Sequence, residues 1–414
     1  MRFFVFGNNP HLSISELYSV IPVADFSLSS NQASIISVDN LNLDEFGGIV
    51  KSGQIIGQVK ITDSSTISKF IINKLGNIFS GTKISFGISE YCLDKEQRRI
   101  FSDKKLLAFG LETKKQLKQA GIHSRFVRTT EQNLSSATVQ KAKLLSNGAE
   151  FCLFLHKDSV YIGITDWVQP FEKLSERDYG KPFRDAKSGM LPPKLAMIML
   201  NLALSKSSIH GLALDRPMAA LILLDPFCGS GTIAMEAALH GGIKTIYCSD
   251  ISQKAVDNAK GNINWLKNKY ELKCKNINIF LSNAENISGQ LKEKINTIVA
   301  EGYLGPAQSG EESRAELVKV MSGLKSLYIK AIKEFYKITS NNARIVLAVP
   351  YFKHRTGDLF VDFASEINQY GFKIINPFPK SAPDYLKQLS KQGGLLYGRQ
   401  GQRVYREILV MERV

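Results

Sequence analysis

The residues best suited to chemistry lie in one glycine-containing run, Leu224-Asp225-Pro226-Phe227-Cys228-Gly229-Ser230-Gly231-Thr232, between an apolar segment and a helix-forming stretch. Glycine at 229 and 231 lets the backbone approach a ligand that side chains would block. The free N–H groups and partial positive charge of the following helix terminus suit an anionic group. Asp225, at the predicted strand end, suits a cation. The run therefore predicts a ligand-binding loop between a strand and a helix.

A second acid follows this loop at a spacing that indicates a nucleoside. Asp250 lies 19 residues after Gly231, at the end of the next predicted strand. A carboxylate there can accept hydrogen bonds from both hydroxyls of a ribose. S-adenosylmethionine carries an ammonium group, a carboxylate and a ribose. The first acid suits the ammonium, the N–H groups of the helix terminus suit the carboxylate and the second acid suits the ribose, so the sequence favours this cofactor. The residues expected to bind it are Asp225, Phe227, Gly229, Gly231, Thr232 and Asp250.

A dinucleotide is the competing ligand. Gly229-x-Gly231-x-x-Ala234 with an acid further along also satisfies the dinucleotide-binding fingerprint. The carboxylate of Asp225, directly before the loop, would meet a pyrophosphate head-on, whereas the ammonium of S-adenosylmethionine suits it. The sequence therefore favours S-adenosylmethionine over a nicotinamide cofactor. An incidental strand–turn–helix, with glycines for tight packing, is the structural alternative.

The elements that must position this loop form an alternating pattern from residue 221 onward. Helix-forming stretches fill most of the gaps between strand-like runs, which predicts an α/β, Rossmann-like domain with a seven-stranded, mostly parallel sheet. The predicted strands are Leu221–Leu224, Thr245–Ser249, Ile277–Leu281, Thr297–Ala300, Arg344–Val349, Phe372–Ile375 and Arg403–Met411.

Positive charge is concentrated in the N-terminal half. The whole chain of 414 residues carries a net charge of +15. Residues 1–59 have a net charge of −3, whereas residues 60–157 hold 17 basic and 8 acidic side chains, a net charge of +9. Short strands alternating with short helices predict small α+β domains here. A basic module of this kind indicates a polyanionic partner such as RNA.

Cysteine and histidine patterns indicate neither a metal site nor disulfides. The five cysteines are scattered without a C-x-x-C pair, and the six histidines are dispersed. This pattern favours the reducing cytoplasm. The apolar run near the N-terminus is too short for a signal peptide, and no stretch approaches the ~18 apolar residues of a membrane span.

Four stretches share one resemblance. They are DPFCGSGT followed by I-x-x-E-A-A, the segment RDYGKPFRDAKSGMLPPKLA, the tail YGRQGQRVYREI and the start FFVFGNNPHLSISEL. The first resembles the first motif of amino-methylating methyltransferases, and the other three narrow the resemblance to the THUMP-domain tRNA guanine-N2 methyltransferases of the archaeal and eukaryotic type. The resemblance implies a ferredoxin-like domain at 1–59, a THUMP-like RNA-binding domain at 60–170, a linker at 171–193 and a methyltransferase domain at 194–414. It also implies tRNA as the partner and the exocyclic N2 amine of a guanosine as the methyl acceptor.

The resemblance adds residues to the expected site. Asp225, Gly229 and Gly231 fall on the family's cofactor loop and Asp250 on its ribose-binding acid. Asn283 falls where the family usually has an acid that faces the adenine amino group. Asparagine still offers a carbonyl acceptor there, although an asparagine in a loop is also a common turn residue.

The expected catalytic strand end departs from the family, whose pattern is an acid or Asn followed by Pro-Pro-Tyr. Here the stretch is Glu301-Gly302-Tyr303-Leu304. The lone pair of an aromatic amine is delocalised into its ring, so acceptors on its N–H bonds are needed to localise and aim it. The Glu301 carboxylate and the Gly302 carbonyl are the candidate acceptors. Tyr303 is expected to stack on a flipped base, or else to be a core aromatic.

Candidate RNA contacts lie in two segments. Arg125 and Arg128 belong to a predicted strand of the basic module and are expected to contact phosphates. The segment 171–193 offers further cations, which either contact phosphates, help to close over the cofactor or are simply solvated: Arg177, Lys181, Arg184 and Lys187.

Two other functions remain open from the sequence. A DNA amino-methyltransferase shares DPF-x-GSG, but it would need a DNA-recognition domain and an intact proline-rich catalytic motif. A non-catalytic RNA-binding protein with a decayed catalytic loop would bind RNA without methyl transfer. The sequence indicates neither the oligomeric state nor an accessory subunit.

Overall fold

A computed structural model describes residues 1–414 apart from 22–24, 39–40, 61–63, 79–83, 97, 130, 132, 185–189, 206–220 and 400. The chain divides into two compact units. Unit 1 comprises Met1–Pro10, Val23–Asp44 and Ile49–Phe171, and unit 2 comprises His11–Pro22, Glu45–Gly48 and Glu172–Val414.

The helices and strands are numbered in chain order. Strands are β1 (Arg2–Phe6), β2 (Ala33–Ile36), β3 (Ile49–Lys60), β4 (Ile84–Cys92), β5 (Ser124–Phe126), β6 (Gly148–His156), β7 (Ser159–Val168), β8 (Leu221–Asp225), β9 (Ile243–Asp250), β10 (Asn276–Leu281), β11 (Ile295–Glu301), β12 (Thr339–Phe352), β13 (Leu359–Phe360), β14 (Phe372–Ile374), β15 (Leu395–Tyr397) and β16 (Val404–Arg413). Helices are α1 (Pro10–Val20), α2 (Ser64–Ile78), α3 (Asp103–Gln119), α4 (Ser136–Lys141), α5 (Phe171–Tyr179), α6 (Pro193–Leu204), α7 (Thr232–Leu239), α8 (Gln253–Lys269) and α9 (Arg314–Ile338). Among the described residues, none of these helices is long and apolar enough to cross a membrane.

Unit 1 is built on a sheet with the strand order β2-β1-β3-β7-β6-β4-β5. β4 runs parallel to β5 and β6, whereas the other neighbours are antiparallel. β3 crosses the boundary expected between residues 59 and 60, so strands from both predicted N-terminal segments share this sheet.

A buried ion pair lies inside unit 1. Lys51 Nζ donates to Glu150 Oε1 at 2.6 Å and to the Leu134 carbonyl at 2.7 Å. The hydroxyls of Ser89 and Thr165 each donate to a Glu150 oxygen at 2.6 Å. Burial alone disfavours the charged lysine, but the attraction of Glu150 outweighs it and raises the pKa of Lys51. The ion pair and the hydrogen bonds around it therefore offset the desolvation of both charges.

Unit 2 contains the Rossmann-like sheet, with the order β10-β9-β8-β11-β12-β16-β14, while β13 pairs with β12 and β15 with β16. The strands from β10 to β12 are parallel, and β16 is antiparallel to its neighbours. Each of the seven predicted strands overlaps an observed one, which confirms the Rossmann-like fold. The sheet is nevertheless mixed, and within the described residues it has nine strands. The two strands that the sequence did not predict, β13 and β15, have 2 and 3 residues and are too short to leave a sequence pattern.

The strand order creates a crevice beside β8. The chain proceeds from β8 to β9 on one side and later returns to place β11 on the other side. Ligands of open α/β sheets bind outside the carboxyl ends of the strands at such a reversal. The last residues of β8, β9 and β11 are Asp225, Asp250 and Glu301. The topology therefore brings the three predicted acids to one edge of the sheet.

Segments from the N-terminal region also belong to unit 2. Glu16 of α1 accepts hydrogen bonds from the N–H groups of Gly47 and Gly48 at 2.8 and 2.7 Å and from Asn201 Nδ2 of α6 at 2.7 Å. Burial raises the pKa of Glu16 to about 7, against the effect of these donors. Helix α1 and Glu45–Gly48 therefore pack with α6 in the unit that contains the crevice.

Removal of one partner of the buried pair tests the packing of unit 1. Glu150→Ala should lower the free energy of unfolding by about 3–5 kcal/mol, because Lys51 then remains as an uncompensated buried charge. Asp166→Ala, which removes the partly exposed partner of Arg2, should cost at most about 1 kcal/mol. Urea unfolding followed by circular dichroism measures both variants, and equal losses would contradict this account.

Candidate cofactor and catalytic site

The loop after β8 has the backbone shape that its glycines allow. Gly229 has φ +50° and Gly231 has φ +85°, and α7 begins at Thr232. Both values lie in the left-handed region, which favours glycine. A Cβ built on Gly229 meets no atom within 4 Å. The backbone at Gly229 is therefore open to a ligand, as the sequence predicts.

Gly231 has a different role from the one predicted. A Cβ at this position would lie 3.1 Å from the Cβ of Ala259 on α8, and Gly231 does not line the adjacent cavity. Glycine at 231 therefore permits close packing of the loop on a helix. At Gly229, by contrast, the backbone can approach a ligand closely.

A cavity of about 540 Å³ opens at the carboxyl edge of the sheet. It is lined by the loop, the ends of the central strands and the residues that follow them. The predicted cofactor and catalytic residues that it brings together are Asp225, Phe227, Gly229, Thr232, Asp250, Asn283, Glu301, Gly302 and Tyr303.

Asp250 fixes the loop as well as lining the cavity. Its Oδ2 accepts a hydrogen bond from Gly229 N at 3.0 Å, and its Oδ1 accepts one from Ser252 N at 2.9 Å. Each carboxylate oxygen retains a lone pair in addition to these bonds. The same acid can therefore hold the loop and accept hydrogen bonds from a ribose.

Asp225 is an acid held in an unfavourable environment for its charge. Its side chain is buried, and its carboxylate accepts a hydrogen bond from Phe227 N at 3.2 Å. Burial raises the pKa of Asp225 well above its usual range, the Phe227 N–H opposes the shift, and the carboxylates of Asp250 and Glu301 add to it. A cation placed here would relieve this unfavourable cluster of negative charge.

These residues fit S-adenosylmethionine. A cavity walled by three carboxylates suits a molecule that carries an ammonium and a sulfonium, and it opposes a pyrophosphate. The opening above Gly229 and the N-terminus of α7 suit the cofactor's carboxylate. Asn283 lines the same cavity while its Oδ1 accepts a hydrogen bond from Glu285 N at 2.9 Å, so it also serves as a helix cap.

Glu301 is held by a residue that the sequence did not single out. Arg406 Nε, on β16, donates to Glu301 Oε1. The two side chains are 8% and 16% exposed, so the pair is nearly shielded from water. Burial raises the pKa of Glu301, and Arg406 opposes that shift. No sequence spacing connects positions 301 and 406, so only the fold reveals this pair.

Tyr328 of α9 determines the shape of the loop after Glu301. A Cβ on Gly302 would lie 2.4 Å from a ring carbon of Tyr328. Gly302 N donates to the Ala348 carbonyl at 3.0 Å, and the Tyr328 hydroxyl donates to the Tyr303 carbonyl at 2.6 Å. The Tyr303 side chain is 53% exposed. This exposure excludes the alternative that Tyr303 is a core aromatic.

Two of the predicted RNA contacts are wrong. Arg177 is buried, and its Nε and Nη2 donate to the carboxylate of Glu236 on α7 at 2.7 and 3.0 Å. Lys181 is also buried and donates to Thr232 Oγ1 at 2.7 Å, and burial lowers its pKa. The segment expected to be a linker includes α5 and is fastened by these residues to the cofactor loop and its helix. Charge in a sequence cannot distinguish a paired cation from a free one.

Three of the other candidate cations are exposed, namely Arg125, Arg128 and Arg184. Arg125 lies on β5 and Arg128 lies beyond the end of that strand, both in unit 1. Arg184 belongs to unit 2, and its guanidinium lies 5.3 Å from the centre of the Tyr179 ring. Lys187 lies outside the described residues. Within the described part of the chain, no group of three or more His, Cys, Asp or Glu residues could hold a metal ion.

A solved structure shares the fold of the chain, and two others show a weaker similarity. A crystal structure of TrmN from Thermus thermophilus is 14% identical, with a TM-score of 0.52 over 100% of both chains. A structure described as a possible methylase from Clostridium difficile 630 is 13% identical, with a TM-score of 0.46 over 99% of this chain and 97% of that one. A structure described as a predicted N6-adenine-specific DNA methylase from Listeria monocytogenes is 12% identical, with a TM-score of 0.43 over 98% and 95%.

Part of the sequence, which includes the residues of the crevice, matches a family of domains. Comparison with curated proteins finds no match. Residues 218–368 match the family model described as "Methyltransferase domain", and this range includes the loop, Asp250 and Glu301. Together with the cavity, the match indicates that the chain contains a methyltransferase domain of Rossmann-like fold whose cofactor is S-adenosylmethionine.

Proposed function

We propose that this chain transfers a methyl group from S-adenosylmethionine to the exocyclic N2 amine of a guanosine in tRNA. The observation that carries the proposal is that Glu301 and the exposed Tyr303 line the same cavity as the cofactor loop. An aromatic amine requires a hydrogen-bond acceptor and a surface on which its ring can stack.

The chemistry needs positioning more than a strong base. When bound, the cofactor would supply a methyl group on a sulfonium: the N–C bond would form as the C–S bond breaks, S-adenosylhomocysteine would leave, and one amine proton would pass to the Glu301 carboxylate or to solvent. Glu301 and the Gly302 carbonyl accept hydrogen bonds from the amine, localise its lone pair and aim it. Tyr303 stacks on the flipped base. Holding the reacting atoms in line is the larger contribution to the rate.

The proposed cofactor contacts follow from the cavity. Asp225 pairs with the ammonium, Asp250 accepts from the ribose, and Asn283 accepts from the adenine amino group. Phe227, Gly229 and Thr232 complete the contacts at the loop. Gly231 contributes through the shape of the loop.

A basic surface in unit 1 supports RNA as the partner. α3 exposes five lysines, and Arg125 and Arg128 are exposed nearby in the sequence. Free surface cations next to phosphates release condensed counterions. The lysines of α3 are Lys104, Lys105, Lys114, Lys115 and Lys118.

We assign the RNA-binding part to the expected ferredoxin-like and THUMP-like segments, 1–59 and 60–170, with Arg184 of the segment 171–193 as a further phosphate contact. The methyltransferase domain is then 194–414, together with which α1 and Glu45–Gly48 pack in unit 2. The five cysteines are unpaired, which agrees with the cytoplasm as the location of the enzyme.

Labelled-methyl transfer tests the proposed function. With S-adenosylmethionine and total tRNA, nucleoside mass spectrometry should detect N2-methylguanosine, and duplex DNA should remain unlabelled. Methylated adenine or cytosine in DNA would support the DNA amino-methyltransferase instead. RNA binding without any methyl transfer would support the non-catalytic alternative.

Removal of the Glu301 carboxylate should reduce the turnover rate much more than it weakens cofactor binding. Glu301→Ala should lower kcat by roughly 100-fold or more, because the amine is no longer held in line, while binding of S-adenosylhomocysteine changes only a few-fold. Single-turnover kinetics and calorimetry measure the two effects. Glu271→Gln, at an exposed position outside the cavity, is the control. An unchanged kcat in Glu301→Ala would remove this residue from the mechanism.

The stacking role of Tyr303 predicts a difference between two variants. Tyr303→Ala should lower kcat/KM for tRNA by roughly 5- to 150-fold, since stacking of a base on an aromatic ring contributes about 1–3 kcal/mol. Tyr303→Phe keeps the ring and should stay near the wild-type value. Equal losses in both variants would indicate a role for the hydroxyl instead.

A further inference from the structure

We propose that Arg406 is a positioning residue that keeps Glu301 ionised and holds its Oε1, so that Oε2 serves as the acceptor for the substrate amine. This inference rests on the proposed function. Arg406 itself touches neither substrate nor cofactor in this account and acts through Glu301.

The sheet register explains how two residues so far apart in sequence meet. Glu301 pairs with Ala348 of β12, and Ala348 pairs with Ile408 of β16. Paired residues point to the same face of a sheet, and so do residues two apart on one strand. Glu301 and Arg406 therefore extend from the same face on either side of β12. Ala348 between them has only a methyl group, which leaves the space for their contact.

Arg406 is the group that favours the ionised form of Glu301. The titratable groups that face Glu301 are Arg406 from β16, Asp225 from β8 and the Tyr328 hydroxyl from α9. Among these three groups, Arg406 is the cation. Burial already raises the pKa of Glu301. Without Arg406, burial and the negative charge of Asp225 would both act to keep the proton on Glu301.

Protonation would invert the function of this side chain. An ionised carboxylate only accepts hydrogen bonds, whereas a protonated carboxyl also donates one. A protonated Glu301 would present a hydrogen-bond donor to the amine, so its oxygen could no longer accept from the amine N–H group in the same way. Arg406 is buried within its sheet at 7% exposure, so a contact with an RNA phosphate on the surface is not its role.

The pH dependence of single-turnover methyl transfer tests the inference in the full-length protein. The active form is the ionised one, so the rate falls as pH drops through the pKa of Glu301. Arg406→Gln should move this acidic limb to higher pH by about 1–3 pH units. The rate at neutral pH should then fall by roughly 10-fold or more and recover at alkaline pH. Arg406→Lys, which keeps the charge but loses the planar guanidinium, should move the limb less.

The double variant distinguishes this role from a purely structural one. In a Glu301→Gln background no carboxyl remains at position 301, so Arg406→Gln should not move the limb any further. Arg355→Gln, at an exposed position, should leave the profile as in the wild type. A pH-independent loss in Arg406→Gln, or a loss that adds fully to that of Glu301→Gln, would overturn the inference.

A readout without turnover separates this inference from the proposed function. Difference infrared spectroscopy follows the protonated carboxyl band of Glu301, which is identified by its absence in Glu301→Gln. The band should persist to higher pH in Arg406→Gln than in the wild type. If it does so while no methylated guanosine forms, the ionisation role of Arg406 stands and the proposed function fails. If methylation occurs and the band titrates identically in both proteins, the inference fails. Thermal unfolding of each variant verifies that it is folded.

Discussion

The candidate site in unit 2 depends on a concentration of negative charge at one edge of the sheet, where the strands are parallel. Asp225, Asp250 and Glu301 end three adjacent strands and line one cavity, where repulsion is stronger than in water because the surroundings are of low polarity. Each acid is compensated differently. Asp250 accepts two backbone N–H groups, Glu301 is paired with Arg406, and Asp225 has a single N–H donor. The least compensated acid is therefore the one most in need of a cationic ligand, which is the property that favours a sulfonium cofactor with an ammonium group.

The same edge depends on residues remote in sequence. α5 is fastened to α7 by the pair of Arg177 with Glu236, and Lys181 contacts Thr232 at the start of that helix. Both cations are buried and leave little freedom to bind RNA. Their positions instead stabilise the loop that shapes the cavity. The segment resembling the family at 177–196 thus serves the cofactor side of the protein, which agrees with one of the alternatives that its charge left open.

The sequence predicts the site as far as local patterns determine it. An apolar strand, a glycine turn and a spaced acid are local features, so Asp225, Gly229 and Asp250 were placed correctly in one cavity. Arg177 and Lys181 were misassigned because a sequence records that a side chain is charged, but the fold decides whether it is paired. Arg406 was not found because its contact with Glu301 crosses an intervening strand. Register across β12 is a tertiary property that no spacing within either segment encodes.

The catalytic loop illustrates how a departure from a family pattern can keep the same physical result. The family that the sequence resembles stiffens this loop with prolines, whereas here position 302 is glycine. The ring of Tyr328 occupies the space that a Cβ at 302 would need, so proline would force this ring to move.

The Tyr328 hydroxyl in turn donates a hydrogen bond to the Tyr303 carbonyl, and Gly302 N donates one to the Ala348 carbonyl. Two hydrogen bonds from buried partners on either side thus restrain a loop that glycine alone would leave flexible. Restraint is what an in-line transfer demands of the Glu301 end of the cavity. Glycine at 302 is therefore compatible with catalysis, because the rigidity that proline would supply comes from α9 and β12.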